Sequence, residues 1–285
     1  MKKAILLPNS IKDKDLKITR ATADMLVMLG ITPYISCEYS ECNVMGASFY
    51  SDIPEDADII IVVGGDGSVI QASRIALELD LPILGINLGK VGYLAEVEPD
   101  SLDDLAVLVS GEYKIDEKML LSTVKIDANG NKTRLEYLAV NDVVFSHESF
   151  LGICDFKIMS DRGDHVYYRA DAVIISTPAG STAYSLSAGG PIISHDLDAI
   201  MVNPVCPHSF FNRAILYNPD DRITITNTGD STLNISIDGR FCSNLLFGET
   251  CEVYRSSSRI KILTLSENNL FSTLSKKIKL LRDFE

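Results

Sequence analysis

The sequence predicts an N-terminal parallel α/β domain followed by a C-terminal β-sandwich-like domain. Up to about residue 110, short apolar runs alternate with helical patterns, which is typical of parallel strands covered by helices. Beyond it the helical patterns almost disappear, and short strands alternate with frequent turns, which indicates two packed sheets. A helical pattern returns at the C-terminus. We therefore predict an α/β domain at 1–110, completed by a helix at 266–285 that packs back on it, and an all-β domain at 111–265.

Composition narrows the classes of function. The 285 residues suffice for two domains, and the hydrophobic fraction of 46% is that of an ordinary globular protein. The net charge of −13 argues against nucleic acid as a partner. No apolar run approaches the ~20 residues that cross a bilayer, and we expect no membrane contact. The six cysteines form no Cys-x-x-Cys pair, so we expect reduced thiols in a cytoplasmic protein and no metal ligand set from the protein.

The predicted elements of the first domain follow from their apolar spacing. A run of β-branched residues at 59–63 predicts a strand buried on both faces, and the polar stretch 38–55 predicts a surface loop. Ser101 and Asp104 have the spacing of a capping box for one more helix. Strands are also predicted at residues 3–7, 33–36 and 82–86, and helices at 14–29, 68–79 and 102–109.

The second domain is predicted from short strands between turn signals. Asn129-Gly130 and Asp238-Gly239 are the two strongest hairpin signals. The predicted strands are residues 119–126, 133–140, 143–146, 156–159, 166–169, 172–176, 223–226, 233–237, 249–254 and 259–265.

A glycine turn (residues 64–68) follows the buried strand and opens a helix. Backbone N–H groups at a helix start bind phosphate, and the absence of side chains on glycine permits close approach. We expect Gly64, Gly65, Gly67 and Ser68 to bind phosphate. A carboxylate beside phosphate is anomalous. It indicates that Asp66 takes a proton from a hydroxyl or steers it, although a simple helix cap would also place Asp66 here.

A hydroxyl-rich loop (residues 176–191) follows a second buried strand. It is rich in Ser, Thr and Gly and contains one aromatic residue, Tyr184, which could stack on a ring; the alternative is a Gly/Ser connector. Two further features are ambiguous. Asn141-Asp142 interrupts an apolar strand, as a bulge or turn would, and Arg169 could merely pair with Asp171.

Together these motifs resemble the NAD kinases. The resemblance runs from the first strand to the last helix. A Gly-Gly-Asp-Gly turn alone also occurs in lipid kinases and phosphofructokinases, so the combination with Thr-x-x-Gly-Ser-Thr-Ala-Tyr is the specific part. The matching segments are residues 64–68, 85–94, 141–142, 169–171, 177–191 and 205–213.

The resemblance implies roles for individual residues. Asp66 would orient or deprotonate the 2′-hydroxyl of the adenosine ribose of NAD, which receives the terminal phosphoryl group of ATP. Three positions depart from the family pattern: Asp142 replaces Glu, Ala179 stands where many members have Ser or Thr, and Tyr93 replaces Phe. The residues that the resemblance implies for NAD binding are Gly67, Tyr93, Asn141, Asp142, Arg169, Asp171, Ala179, Thr182, Ala183, Tyr184 and Ser187.

The resemblance also implies cofactors and partners. We expect Mg²⁺ or another divalent cation with ATP, and a homodimer or homotetramer; inorganic polyphosphate is an alternative donor and NADH an alternative acceptor. Two other functions compete with this interpretation. A lipid kinase would share the glycine turn but not the second motif. A dinucleotide-binding regulator without catalysis would not need Asp66.

Overall fold

The computed structural model describes residues 1–42, 44–89, 92–149, 152–194, 196–209 and 211–265. The chain divides into two compact units. Unit 1 contains Met1–Glu117 and resumes at Ile260, and unit 2 contains Lys118–Arg259. The second unit is thus shorter at both ends than the predicted range 111–265. The predicted helix at 266–285 lies outside the described residues.

Unit 1 is an α/β unit whose described strands pair in parallel. Strand order is β3-β2-β1-β4-β5, with β6 paired to β5. Two 3-10 helices occupy Cys37–Cys42 and Pro99–Ala106. The other elements are β1 (Lys3–Pro8), α1 (Lys17–Met28), β2 (Thr32–Ser36), β3 (Ser48–Tyr50), β4 (Ile59–Gly64), α2 (Asp66–Leu79), β5 (Ile83–Asn87), β6 (Ala95–Val97) and α3 (Val107–Ser110).

Strand β4 lies at the centre of this sheet, as its run of β-branched residues predicts. All of its residues are buried, and it pairs with β1 on one side and β5 on the other. The register matches Pro8 with Val63, and Gly64 with Asn87. The three strands therefore end at the same edge, which brings the segment after each of them together. Ligands of parallel sheets bind at this edge.

Two predictions for unit 1 are wrong. Residues 38–55 are not simply a loop, because β3 within them pairs in parallel with β2. The predicted helix at 102–109 is instead the 3-10 helix Pro99–Ala106 followed by α3. Ser101 lies inside that 3-10 helix with non-helical backbone angles (φ −124°), so it does not cap a helix.

The described residues of unit 2 form antiparallel strands and one short α-helix. Strand β7 starts in unit 1, and β18 ends there. A 3-10 helix occupies Ala179–Thr182. The elements are β7 (Lys114–Ile126), β8 (Lys132–Arg134), β9 (Asp142–His147), β10 (Cys154–Ser160), β11 (His165–Ala170), β12 (Ala172–Ser176), α4 (Tyr184–Ser187), β13 (Ile200–Val205), β14 (Ile215–Tyr217), β15 (Ile223–Asn227), β16 (Leu233–Ile237), β17 (Arg240–Leu245) and β18 (Thr250–Thr264).

Two sheets of unit 2 share one hydrophobic core, which confirms the predicted fold class. One sheet has the order β14-β13-β12-β9-β16-β17, and the other contains β11-β10-β15-β18. Phe145 and Ile235 from the first sheet lie in the same buried cluster as Phe156 and Ile225 from the second. Alternate residues of β16 are buried, as expected for a strand with one face on a core.

Some local predictions in unit 2 need correction. The predicted strands 249–254 and 259–265 are one continuous strand, β18, and β13, β14 and β17 were not predicted. The predicted strand 133–140 is reduced to β8 and one bridge between Leu121 and Ala139. The hairpin at Asp238-Gly239 is confirmed, with φ of 48° and 76°, the left-handed pair that a tight two-residue turn requires. No helix in the described part of the chain is long and apolar enough to span a membrane.

Candidate active site

The glycine turn is as short as a strand-to-helix connection can be. Strand β4 ends at Gly64 and helix α2 begins at Asp66. The Ser68 N–H donates to the Gly65 carbonyl (2.8 Å), which starts the helix. Gly67 is exposed with open space around it. The first turn of α2 therefore offers backbone N–H groups and the positive end of its dipole to an anion.

The glycines of the turn differ in what a side chain at each position would meet. A Cβ at Gly64 would collide with the Ser68 hydroxyl, and a Cβ at Gly65 would stand 2.7 Å from the Lys12 ammonium nitrogen. Gly67 meets nothing within 4 Å, so the space in front of it is free for a ligand. Only Gly64 is required by packing of the turn against itself.

Asp66 is held by the backbone of a neighbouring segment. Its carboxylate accepts N–H groups from Tyr93 (3.0 and 3.1 Å to the two oxygens), Leu94 (3.0 Å) and Ala95 (3.3 Å). It does not cap α2, because Gly65 occupies the cap position and no side chain caps the helix. The structure therefore favours a positioned carboxylate over the helix-cap alternative. Burial, with the charge of Asp66, raises the pKa of the Tyr93 phenol.

Unit 2 contains a second candidate region, the Asp142 pocket. Its volume is about 370 Å³. It brings together four of the predicted site residues, from the start of β9 and the start of α4, with four residues that the sequence did not single out for binding. The lining residues are Asn141, Asp142, Val144, Ala183, Tyr184, Ser236, Asp238 and Gly239.

Asp238 fixes the backbone beside this pocket. Its carboxylate accepts N–H groups from Val140 (2.8 Å), Asn141 (2.8 Å) and Asp142 (3.0 Å). Burial, followed by the charge of Asp238, raises the pKa of the Asp142 carboxyl to about 7. Burial also raises the pKa of Asp238, against the opposing effect of its three N–H donors. Two acidic groups thus share a poorly solvated site in which both cannot easily be ionised.

The hydroxyl-rich loop uses several of its hydroxyls internally. The Thr177 hydroxyl donates to the Val140 carbonyl (2.6 Å) and accepts the Gly180 N–H (3.0 Å). The Ser181 and Thr182 hydroxyls donate to the Pro178 and Ala179 carbonyls (2.6 and 3.0 Å). These bonds fold the chain into the 3-10 helix that precedes α4. Of this loop, only Ala183 and Tyr184 line the pocket, with the Tyr184 side chain partly exposed.

The remaining predicted residues lie outside the pocket lining. Arg169 approaches Asp155 (3.8 Å), and no ion pair between Arg169 and Asp171 is present in the described structure. Asp171 and Ser187 are exposed, whereas Ala179 and Thr182 are buried. Their predicted contacts with NAD stay predictions.

Three residues important to this geometry were missed at the sequence level. Asp238 was interpreted at the sequence level only as a turn residue. Asn9 connects its loop to the helix start through a 2.8 Å bond to the Ser68 hydroxyl. Lys12 places its ammonium beside Gly65. Neither Asn9 nor Lys12 belongs to a local pattern that would have revealed it.

The described residues contain no group of three acidic, His or Cys side chains that could hold a metal ion.

Two family models match the chain. Residues 33–113 match the ATP-NAD kinase N-terminal domain, and residues 140–265 match the ATP-NAD kinase C-terminal domain. The chain belongs to the ATP-NAD kinase family. The NAD kinase of Lachnoclostridium phytofermentans is 34% identical over 97% of this chain and 99% of its own length. That of Caldanaerobacter subterraneus is 32% identical over 98% of this chain and 99% of its own length.

Solved structures of this family share the fold. A yeast NADH kinase in complex with NADH has a TM-score of 0.85 at 20% identity and covers 98% of this chain and 88% of its own. An NAD kinase from Archaeoglobus fulgidus in complex with ATP has a TM-score of 0.72 at 21% identity, covering 97% of this chain and 99% of its own. Their similarity supports an α/β part and a β part in the ATP-NAD kinase fold.

Proposed function

We propose that the glycine turn binds the phosphates of ATP and that Asp66 accepts the proton of the 2′-hydroxyl of the adenosine ribose of NAD. Family membership identifies the chain as an NAD kinase, an enzyme that forms NADP and ADP from NAD and ATP. The observation that carries the assignment of roles is the position of Asp66. It is a carboxylate at the start of α2, directly after the glycine turn, and three backbone N–H groups fix it there.

The chemical step needs a base and a charge-stabilising turn. The ribose oxygen attacks the terminal phosphorus of ATP, a new phosphorus–oxygen bond forms, and the bond to the bridging oxygen breaks to release ADP. Asp66 takes the hydroxyl proton as that oxygen becomes nucleophilic. The N–H groups of the first turn of α2 stabilise the negative charge on the phosphoryl oxygens. A divalent cation bound to the phosphates would neutralise further charge.

We assign the adenosine portion of NAD to the Asp142 pocket. The pocket combines an apolar wall at Val144 and Ala183 with an aromatic ring at Tyr184 and polar groups at Asn141 and Asp142. Such a mixture suits a nucleoside, in which a flat ring carries a polar sugar. Contacts with Arg169, Asp171 and Ser187 would belong to another part of the dinucleotide.

The cation, the assembly and the location are proposals of this assignment. We propose Mg²⁺ as the cation bound with ATP, a homo-oligomer and a cytoplasmic location. The defining experiment incubates the protein with NAD, ATP and Mg²⁺ and measures NADP, with polyphosphate and NADH in parallel reactions. A folded protein that forms no NADP under any of these conditions would overturn the proposed function.

We expect Tyr184→Ala to weaken NAD binding while leaving ATP binding unchanged. Tyr184 is partly exposed and lines the pocket, so its ring is available to stack on a base. Loss of a stacked ring costs about 1 kcal/mol, roughly a fivefold increase in Kd. Calorimetry with each nucleotide separately provides the measurement. Tyr167→Ala removes another exposed tyrosine of unit 2, away from the pocket, and is the matched control. Equal NAD affinity in the two variants would contradict stacking by Tyr184.

A further inference from the structure

The segment after β1 is fastened to the edge of the sheet where the glycine turn lies. The Asn9 N–H donates to the Val63 carbonyl (2.8 Å), which extends the pairing of β1 with β4 by one residue. The Asn9 side-chain amide then donates to the Ser68 hydroxyl (2.8 Å) in the first turn of α2. The position of Asn9 relative to the turn is therefore set by both its backbone and its side chain.

Asn9 in turn fixes the backbone of Lys12. The Lys12 N–H is shared between the Asn9 backbone carbonyl (3.0 Å) and side-chain oxygen (3.2 Å). The same side-chain oxygen accepts the Ile11 N–H (3.2 Å). These bonds form a compact turn that fixes the Lys12 backbone beside the start of α2. The Lys12 side chain itself is exposed.

The ammonium group of Lys12 lies directly in front of the glycine turn. Its nitrogen is 2.7 Å from the position that a Cβ on Gly65 would occupy and 4.0 Å from the corresponding position at Gly89. Within the described residues Lys12 forms no ion pair. The Lys12 ammonium thus lies, without an ion-pair partner among these residues, beside Gly65 and Gly89, whose lack of side chains leaves room for a ligand.

The turn itself lacks a cation. Asp66 is the only charged residue between Ile59 and Ser73, and the next one, Arg74, pairs with Glu78 (3.1 Å). Phosphate loops that end in Gly-Lys carry their own lysine for the terminal phosphates. The present turn carries a carboxylate instead, in a chain of net charge −13, so a cationic side chain for a nucleoside triphosphate bound there would come from another segment.

We propose that Lys12 supplies this charge and binds the terminal phosphates of the donor in front of Gly65. The proposal rests on the proposed function, because it assigns the donor to the glycine turn. A lysine ammonium is a compact point charge that can follow the phosphoryl group as charge moves toward the leaving ADP oxygen. Lys12 is thus a donor-binding residue contributed by the loop after β1.

The test compares Lys12→Gln with Lys12→Arg and with Lys14→Gln. Lys14 is exposed, lies two residues further along the same loop, and gives the same change in net charge. We expect Lys12→Gln to raise the Kd or KM for ATP, or to lower kcat, by at least about tenfold, with KM for NAD unchanged. Lys12→Arg should retain most activity, and Lys14→Gln should match the wild type. Calorimetry with ATP alone and steady-state kinetics with each substrate varied supply these values.

The outcomes separate the two proposals. Wild-type protein that forms NADP while Lys12→Gln and Lys14→Gln behave alike would overturn the role of Lys12 and leave the proposed function standing. Wild-type protein that is folded but neither binds ATP nor forms NADP would overturn the proposed function itself. A loss in Lys12→Gln that affects KM for NAD as strongly as KM for ATP would also contradict a donor-specific contact.

Discussion

Asp66→Asn should leave a folded protein that binds ATP and NAD but turns over about 10² to 10⁴ times more slowly, the usual value of a positioned general base. The amide cannot accept the ribose proton. Its remaining carbonyl oxygen can still accept the N–H groups of Leu94 and Ala95, so the segment that holds Asp66 keeps most of its bonds. The measurement is NADP formation at saturating substrates, with separate calorimetric titrations of both nucleotides.

Asp24→Asn is the matched control for this experiment. Asp24 is an exposed acid on α1 and makes the same change in charge within unit 1, away from the glycine turn. It should turn over like the wild type. In Asp66→Asn the amide nitrogen replaces one of the two oxygens that accept the Tyr93 N–H. Thermal unfolding of both variants shows whether the loss of this hydrogen bond destabilises the fold. Wild-type turnover in a folded Asp66→Asn protein would exclude Asp66 as the base.

Elements buried on both faces were the most predictable parts of the fold. Strand β4 was evident because its β-branched run has only one stable environment, the middle of a covered sheet. Strand β13 was missed because Asn203 and Pro204 interrupt its apolar run. The Asn203 amide is satisfied by Ser185 (3.0 Å), and β14 pairs only with residues 200–202, so Pro204 has a paired strand on the β12 side alone.

Strand β18 shows a second limit of sequence patterns. Two strands were predicted, at 249–254 and 259–265, and three serines lie between them at residues 256–258. The strand continues because its early part pairs with β15, where Ile225 faces Cys251, and its late part pairs with β5 through Ile262. Pairing with two different strands keeps β18 extended along its whole length, and the local sequence contains no signal for this pairing.

Candidate site residues could be proposed from the sequence where the signal lies within a few neighbouring residues. Asp66 could be singled out from the sequence because it is a carboxylate among the glycines of a strand-to-helix turn. Asp238 could not, because its three N–H partners are up to 98 residues away and are backbone groups, which leave no trace in side-chain identity. The same holds for Lys12, whose neighbour Gly65 belongs to another strand-to-helix connection.

The Asp142 and Asp238 carboxyl groups should make the stability of unit 2 depend on pH. The pKa of Asp142 is raised from its ordinary 3.8 to about 7 by burial and then by Asp238. In the Asp142 pocket, Asp238 at the end of β16 and Tyr184 of α4 line the wall together with Asp142. The residues lining the pocket include no Lys, Arg or His to compensate the negative charge. Below the ordinary pKa, Asp142 is protonated in both states and costs nothing. As pH rises toward 7, the unfolded chain releases its proton while the folded chain retains it, so the free energy of unfolding falls.

Asp142→Asn should therefore gain stability relative to the wild type as pH rises from about 4 to 8, by about 2 to 4 kcal/mol across that window. Hydrogen exchange of peptides from β9, β12 and β16, corrected for the intrinsic effect of pH, measures this difference within unit 2. Asp127→Asn is a control that should differ from the wild type by a nearly constant amount across this window. The Asn131 side chain and nearby backbone N–H groups lower the pKa of Asp127, so its contribution is present throughout pH 4 to 8 and is lost only below its ordinary pKa of 3.8. A difference between Asp142→Asn and the wild type that stays constant from pH 4 to 8 would show that Asp142 is ionised in the folded protein throughout.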